Sequence, residues 1–201
     1  FGIAKMLTED DDELTDAALL SESFPFVDFV VRERGTSLSR DYHNWQLPRM
    51  TGDMLIAPND DCLFVTPNWD VLVSKALTEY LADKPDGIVY GWINDNLPER
   101  WGMGYCTFPL LSAKATAALG YWLPEATPFW GADVILWRIF DAAKRICDLS
   151  GVTIEHVSYH NGLREIDKVG KYVACKGSPN VRGMDISDDV EKVREGIANG
   201  T

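Results

Sequence analysis

Short apolar runs of strand length alternate along this chain with segments whose apolar residues recur at helical spacing. That alternation restricts the chain to a layered α/β fold. The strand-like runs fall at residues 2–7, 26–31 (interrupted only by Asp28), 53–57, 62–65, 87–92, 103–108 and 152–156. Between them, residues 10–12 can cap a helix running to about Leu20. Asn68 can cap one carrying Trp69, Leu72, Ala76, Leu77 and Tyr80 at helical spacing. Ser112 caps a short Ala-rich helix that Gly120 stops, and Ala132 opens a helix to about Asp148 that is apolar on more than one face. A polar stretch occupies residues 32–42. From about residue 176 the chain is punctuated by Gly and Pro and ends in a surface helix over 187–198. The expected organisation is a single α/β domain over 1–175, built on a mixed, mostly parallel sheet flanked by helices, followed by a tail over 176–201.

At 201 residues the chain buries enough surface for a core without a disulfide or structural metal. Its net charge of -12 repels nucleic acid and anionic membrane, which argues against both as partners. The acids are uneven: Glu9, Asp10, Asp11, Asp12 and Glu13 form one run, and Asp185, Asp188, Asp189 and Glu191 another, as suits solvated helix N-termini. The cysteines (Cys62, Cys106, Cys147, Cys175) form no C-x-x-C pair, so a zinc knuckle is not expected. Cys62 and Cys106 sit in apolar runs where a reduced thiol is the common state, which points to a reducing, cytoplasmic compartment. No stretch is long and apolar enough to span a membrane, and no signal peptide is visible.

The chemistry centres on Asn59-Asp60-Asp61, an acidic turn at the carboxyl end of the 53–57 strand. Ligand sites in open α/β sheets lie at that end. Hard cations such as Mn²⁺ or Mg²⁺ take oxygen donors, and one or two carboxylates plus ligand phosphates suffice to hold them. An acidic pair of this kind also serves as an ordinary turn or helix cap.

The surrounding residues carry a resemblance. Thr51-Gly52-Asp53-Met54-Leu55-Ile56-Ala57-Pro58-Asn59-Asp60-Asp61 followed by Thr66-Pro67-Asn68-Trp69-Asp70 resembles the family 2 type of glycosyltransferase, in which a strand leads into a D-x-D-like motif and a helix start. Gly87-Ile88-Val89-Tyr90-Gly91, Leu119-Gly120-Tyr121, Trp130-Gly131-Ala132-Asp133 and Ile154-Glu155-His156 are similar to its later segments. The match runs over roughly residues 2–160.

The resemblance implies a GT-A fold, a divalent cation, a nucleotide-sugar donor (UDP by preference) and a glycan or other hydroxyl acceptor. Asp61 would be the direct metal ligand, Asp60 its support or a ribose contact, and His156 a second metal ligand, with His160 a fallback. Asn59 stands where the family has Asp. Asp133 would be the base of an inverting transfer, and a helix N-cap is its alternative. Trp130 would stack on a sugar or sit in the core. Thr8 and Glu9 lie where the family grips base and ribose. Arg32, Arg34 and Arg40 could meet phosphate, with Tyr42 and Asn44 nearby. Val31-Arg32-Glu33 departs from the acid expected there.

Two rivals stand beside this reading. A nucleotidyltransferase would carry a basic Gly-rich loop near the first strand, where this chain has Thr8-Glu9-Asp10-Asp11-Asp12. A catalytically inactive binding module is motivated by Asn59 and the missing acid after the second strand.

Overall fold

The computed structural model describes residues 3–8, 27–33, 35–58, 61–97, 104–127, 130–157 and 180–200. Among the described residues two sheets are formed. Strand β1 (Ile3–Thr8) pairs in parallel with β2 (Val27–Arg32). A five-stranded sheet contains β3 (Met54–Ile56), β4 (Cys62–Phe64), β5 (Tyr90–Asn94), β6 (Leu110–Ser112) and β7 (Ile146–His156), in the order β3-β6-β5-β7-β4. The helices are α1 (Trp69–Leu81), α2 (Ala113–Leu119), α3 (Ala132–Ala142) and α4 (Ser187–Asn199). No helix among the described residues is long and apolar enough to cross a membrane.

The architecture is α/β with a mixed sheet flanked by helices. It departs from the expectation of a mostly parallel sheet, because β5–β7 is parallel while β3–β6, β5–β6 and β4–β7 are antiparallel. The period-two alternation of strand side chains builds both faces at once. Ile88 and Tyr90 pack on one side with Leu55, Leu111, Ile135, Leu136, Ile139 and Phe140. Val89 and Ile93 pack on the other with Val73, Leu77, Leu110, Leu149 and Ile154. So α3 covers one face and α1 the other, and α4 rests on α2 and α3.

Several local readings are corrected. The helix opened at Ala132 stops at Ala142, because Lys144 takes a left-handed turn (φ 57) and the chain passes directly into β7. Cys147 and Leu149 are therefore alternating strand residues, each buried, and not helical ones. The strand expected at 103–108 forms instead beyond Pro109, as β6. The backbone at 107 is drawn off by Asp95, whose Oδ2 accepts from Thr107 N at 2.8 Å and Thr107 Oγ1 at 2.7 Å. The strand at 87–92 shifts to Tyr90–Asn94; Val89 N–H goes to Ser112 Oγ (3.2 Å). Asn68 precedes α1 in a left-handed conformation (φ 54) and makes no side-chain cap. The polar stretch contains a π-type turn, Leu38–Asn44, capped by Ser37, whose side chain accepts from Arg40 N.

Two expected boundaries match their residues. Ser112 caps α2 by accepting from Ala115 N (3.1 Å), and Gly120 ends it at φ 81, a conformation that costs glycine little. The terminal helix presents polar residues outward, as expected of a surface helix, but Val190 (6% exposed) and Val193 (0%) belong to the main core. The segment from 180 on therefore shares its core with the α/β body.

One buried ion pair ties the start of β5 to that of β7. Arg145 Nη2 donates to Asp86 Oδ2 at 3.0 Å, and Asp86 Oδ1 accepts from Ile88 N at 2.9 Å. Asp86→Ala strands a guanidinium that is only 16% exposed. Urea unfolding should show a loss of about 3 kcal/mol, since removing one partner of a buried pair leaves the other uncompensated.

Candidate functional site

Three strand ends meet at one edge of the five-stranded sheet. The parallel strands β5 and β7 end there at Asn94 and His156, and β4, antiparallel to β7, begins there just after Asp61. The Cys62–His156 register fixes the rest: Val157 N donates to Asp61 O (2.7 Å) and His156 N to Asp95 O (3.1 Å). Residues 95 positions apart thereby come together, with His156 Nε2 at 3.1 Å from Asp61 Oδ2. Both side chains are largely enclosed, at 14% and 8% exposure, and Phe108 lies edge-on to the imidazole with ring centres 5.2 Å apart.

This pair fits a divalent cation. Two ligands at right angles, each about 2.1 Å from an octahedral ion, lie about 3 Å apart. Among the described residues no three His, Cys, Asp or Glu side chains gather to hold an ion alone. Two protein ligands would leave most of the coordination sphere to water and ligand oxygens, as Mg²⁺-type sites do.

Asp133 lies in the first turn of α3 but does not cap it. Gly131 is the N-cap, at φ 95, and Asp133 Oδ1 accepts from Val134 N at 2.9 Å. Burial pushes the Asp133 carboxyl up to about 6; the carboxylate of Asp95 pushes it further up, and backbone N–H groups and His156 oppose the rise. Asp133 thus senses the charges of Asp95 and His156. The Tyr105 phenol is pushed up to about 12 by burial and then by Asp133 and Asp95. Trp130 is partly buried just before Gly131.

Asp95 was not anticipated. It is 8% exposed, its Oδ1 accepts from Leu97 N (3.1 Å) and its Oδ2 from Thr107. An acid between two asparagines just past a strand, Asn94-Asp95-Asn96, was the available signal, the same signal that marked Asp60-Asp61.

The donor-side residues divide. Thr8 and Arg32 are register partners at the carboxyl ends of β1 and β2, so their backbones lie side by side. Glu9, Arg34, Asn59, Asp60 and His160 fall outside the described residues. Arg40 turns to its own loop: Nε donates to Asp41 Oδ1 (2.7 Å) and Nη2 to Thr36 Oγ1 (3.2 Å), with the side chain 55% exposed. Tyr42 OH accepts from Gly35 N (3.0 Å). Asn44 is a clamp, its Oδ1 accepting from Trp122 N (2.9 Å) and Leu123 N (2.8 Å) while Nδ2 donates to Leu123 O (2.8 Å).

No family model and no curated protein matches the sequence. The fold does find a match among solved structures, a mannosyltransferase from Pyrobaculum calidifontis in complex with GDP-Man and Mn2+. The alignment covers 99% of this chain at a TM-score of 0.53 and 13% identity. The two proteins share a fold. The chain spans 64% of the length of that mannosyltransferase. Asp61, Asp95 and His156 lie at the carboxyl edge of β5 and β7, the side on which open α/β sheets bind ligands.

Proposed function

We propose that the chain is a divalent-cation-dependent glycosyltransferase that passes a sugar from a nucleotide-sugar to a hydroxyl acceptor with inversion. The observation that carries this reading is the approach of His156 Nε2 to Asp61 Oδ2, 3.1 Å apart at the carboxyl edge of β5 and β7; the buried carboxyl of Asp133, which senses the charge of His156, supports it. Support from the fold comes from the mannosyltransferase captured with GDP-Man and Mn2+.

Asp61 and His156 would hold Mn²⁺ or Mg²⁺, with Asp60 beside them. When bound, the cation offsets the negative charge that builds on the departing diphosphate. Asp133 takes the proton of the acceptor hydroxyl as that oxygen bonds to the anomeric carbon and the bond to the diphosphate oxygen breaks. A carboxyl at about 6 is ionised at neutral pH yet more basic than a free one, which suits a general base. The donor base stays open between uridine and guanosine; Thr8, Glu9 and Arg32 are the residues on that side. Arg40 is paired with Asp41, which leaves its phosphate role with the weakest support.

The test is release of nucleoside diphosphate from a panel of UDP- and GDP-sugars with Mn²⁺ and with chelator. Metal-dependent release from at least one donor is expected. Asn59, in the place of the first acid of the motif, and the missing acid after the second strand favour an inactive binding module. That alternative predicts metal-dependent binding with no release for any donor.

A further inference from the structure

The base-bearing helix is gripped from outside by the chain's last described segment. Arg138 stands on α3 five positions after Asp133. Its Nη1 donates to Val181 O at 2.5 Å and its Nη2 to Met184 O at 2.9 Å. Both acceptors are main-chain carbonyls, so the guanidinium fork holds the path of the segment whatever its side chains.

The same segment reaches the helix start. A Cβ added at Gly131 would lie 2.6 Å from Val181 Cγ1, so Val181 sits directly on the N-cap glycine, two residues before Asp133. From Gly131 to Arg138 is about 10 Å of helix, and the strap spans it. Beyond the strap, α4 is anchored by Val190 and Val193 in the main core and packs on α2 and α3. None of these contacts involves Asp61 or His156, which are held by β4 and β7. The base and the proposed cation ligands are thus held by separate parts of the chain.

We infer that Arg138 is a positioning residue for Asp133: through the Val181–Met184 strap it fixes the first turn of α3, and with it the distance from the carboxylate to the acceptor hydroxyl. This rests on the function proposed above. Displacements of about 1 Å in such a group cost up to about 100-fold in rate.

The test compares Arg138→Met and Arg138→Lys with the wild-type chain. Lysine is a single point donor and can keep only one of the two bonds. Arg138→Met should lower kcat at least about tenfold, with donor KM and Mn²⁺-dependent nucleotide affinity unchanged, and Arg138→Lys should fall between. Amide exchange supplies a readout independent of activity. The Ile135 N–H, bonded to Gly131 O in the first turn, should exchange faster in Arg138→Met. The Val157 N–H, bonded to Asp61 O, should not change. Unchanged exchange at Ile135, or an unchanged kcat in both variants, overturns the inference. If Arg138→Met does not fold, Arg138→Lys decides by the same kcat and exchange criteria. If the wild-type chain binds a nucleotide-sugar and never transfers it, the functional reading fails, and the exchange data alone decide whether the strap fixes the turn.

Discussion

Asp133→Asn should lower the rate of sugar transfer by about 10³-fold while leaving cation-dependent nucleotide affinity within about twofold. The carboxamide keeps the shape and the bond from Val134 N but cannot take a proton, and general bases contribute roughly 10²–10⁴. In the wild-type chain kcat/KM should rise with pH through an acid limb centred near 6 for the unliganded protein, and lower once a cation is bound. The variant should lack that limb. Stability should move the other way. A carboxyl raised from 3.8 to about 6 makes the folded chain hold a proton that the unfolded chain releases in that interval. The stabilisation is full below 3.8 and lost as pH rises through 6, so at pH 7 the ionised carboxylate is a burden on the fold. Asp133→Asn should therefore be more stable than wild type at pH 7, by about 2 kcal/mol, and lose that advantage near pH 4. Parallel urea titrations at the two pH values check this. A variant that loses nucleotide affinity along with rate would place Asp133 in donor binding instead.

Asp61→Ala should remove the cation-dependent part of nucleotide binding, a loss of at least about 100-fold read by calorimetry with and without Mn²⁺. Even residues that only orient a metal ligand are worth 10–100-fold. Alanine removes one of two proposed protein ligands and leaves His156 facing an open slot. Affinity for the nucleotide without metal should hardly change. His156→Ala should give the same pattern more weakly, because a carboxylate carries charge toward a cation and a neutral imidazole does not. Equal affinities with and without Mn²⁺ in wild type and Asp61→Ala alike would remove the metal from the account.

The sequence carried the fold class well, for a physical reason visible in β5 and its neighbours. Period-two apolar runs such as Ile88-Val89-Tyr90 feed both faces of a covered sheet, and their register with helical segments leaves few arrangements. Boundaries were harder. Residues 132–148 read as one helix because Ile146 and Cys147 continue an apolar pattern, and nothing in Lys144 announces a left-handed turn. The strand at 103–108 looked sound, yet a single buried carboxylate, Asp95, claims the Thr107 N–H that a ladder would have needed. At the site, Asp61 and His156 were legible as separate candidates, but their 3.1 Å approach follows from the Cys62–His156 register, a non-local pairing that no local pattern encodes. The strap from Arg138 to Val181 and Met184 is likewise a tertiary contact between segments more than forty residues apart (181 − 138 = 43).

The most direct measurement is pulsed electron paramagnetic resonance of Mn²⁺ bound to the protein with a nucleoside diphosphate. The account predicts ³¹P couplings from the diphosphate together with a ¹⁴N coupling from one imidazole, the nitrogen signal vanishing in His156→Ala. A Mn²⁺ ion showing phosphorus but no protein nitrogen, or one indifferent to Asp61→Ala, contradicts it.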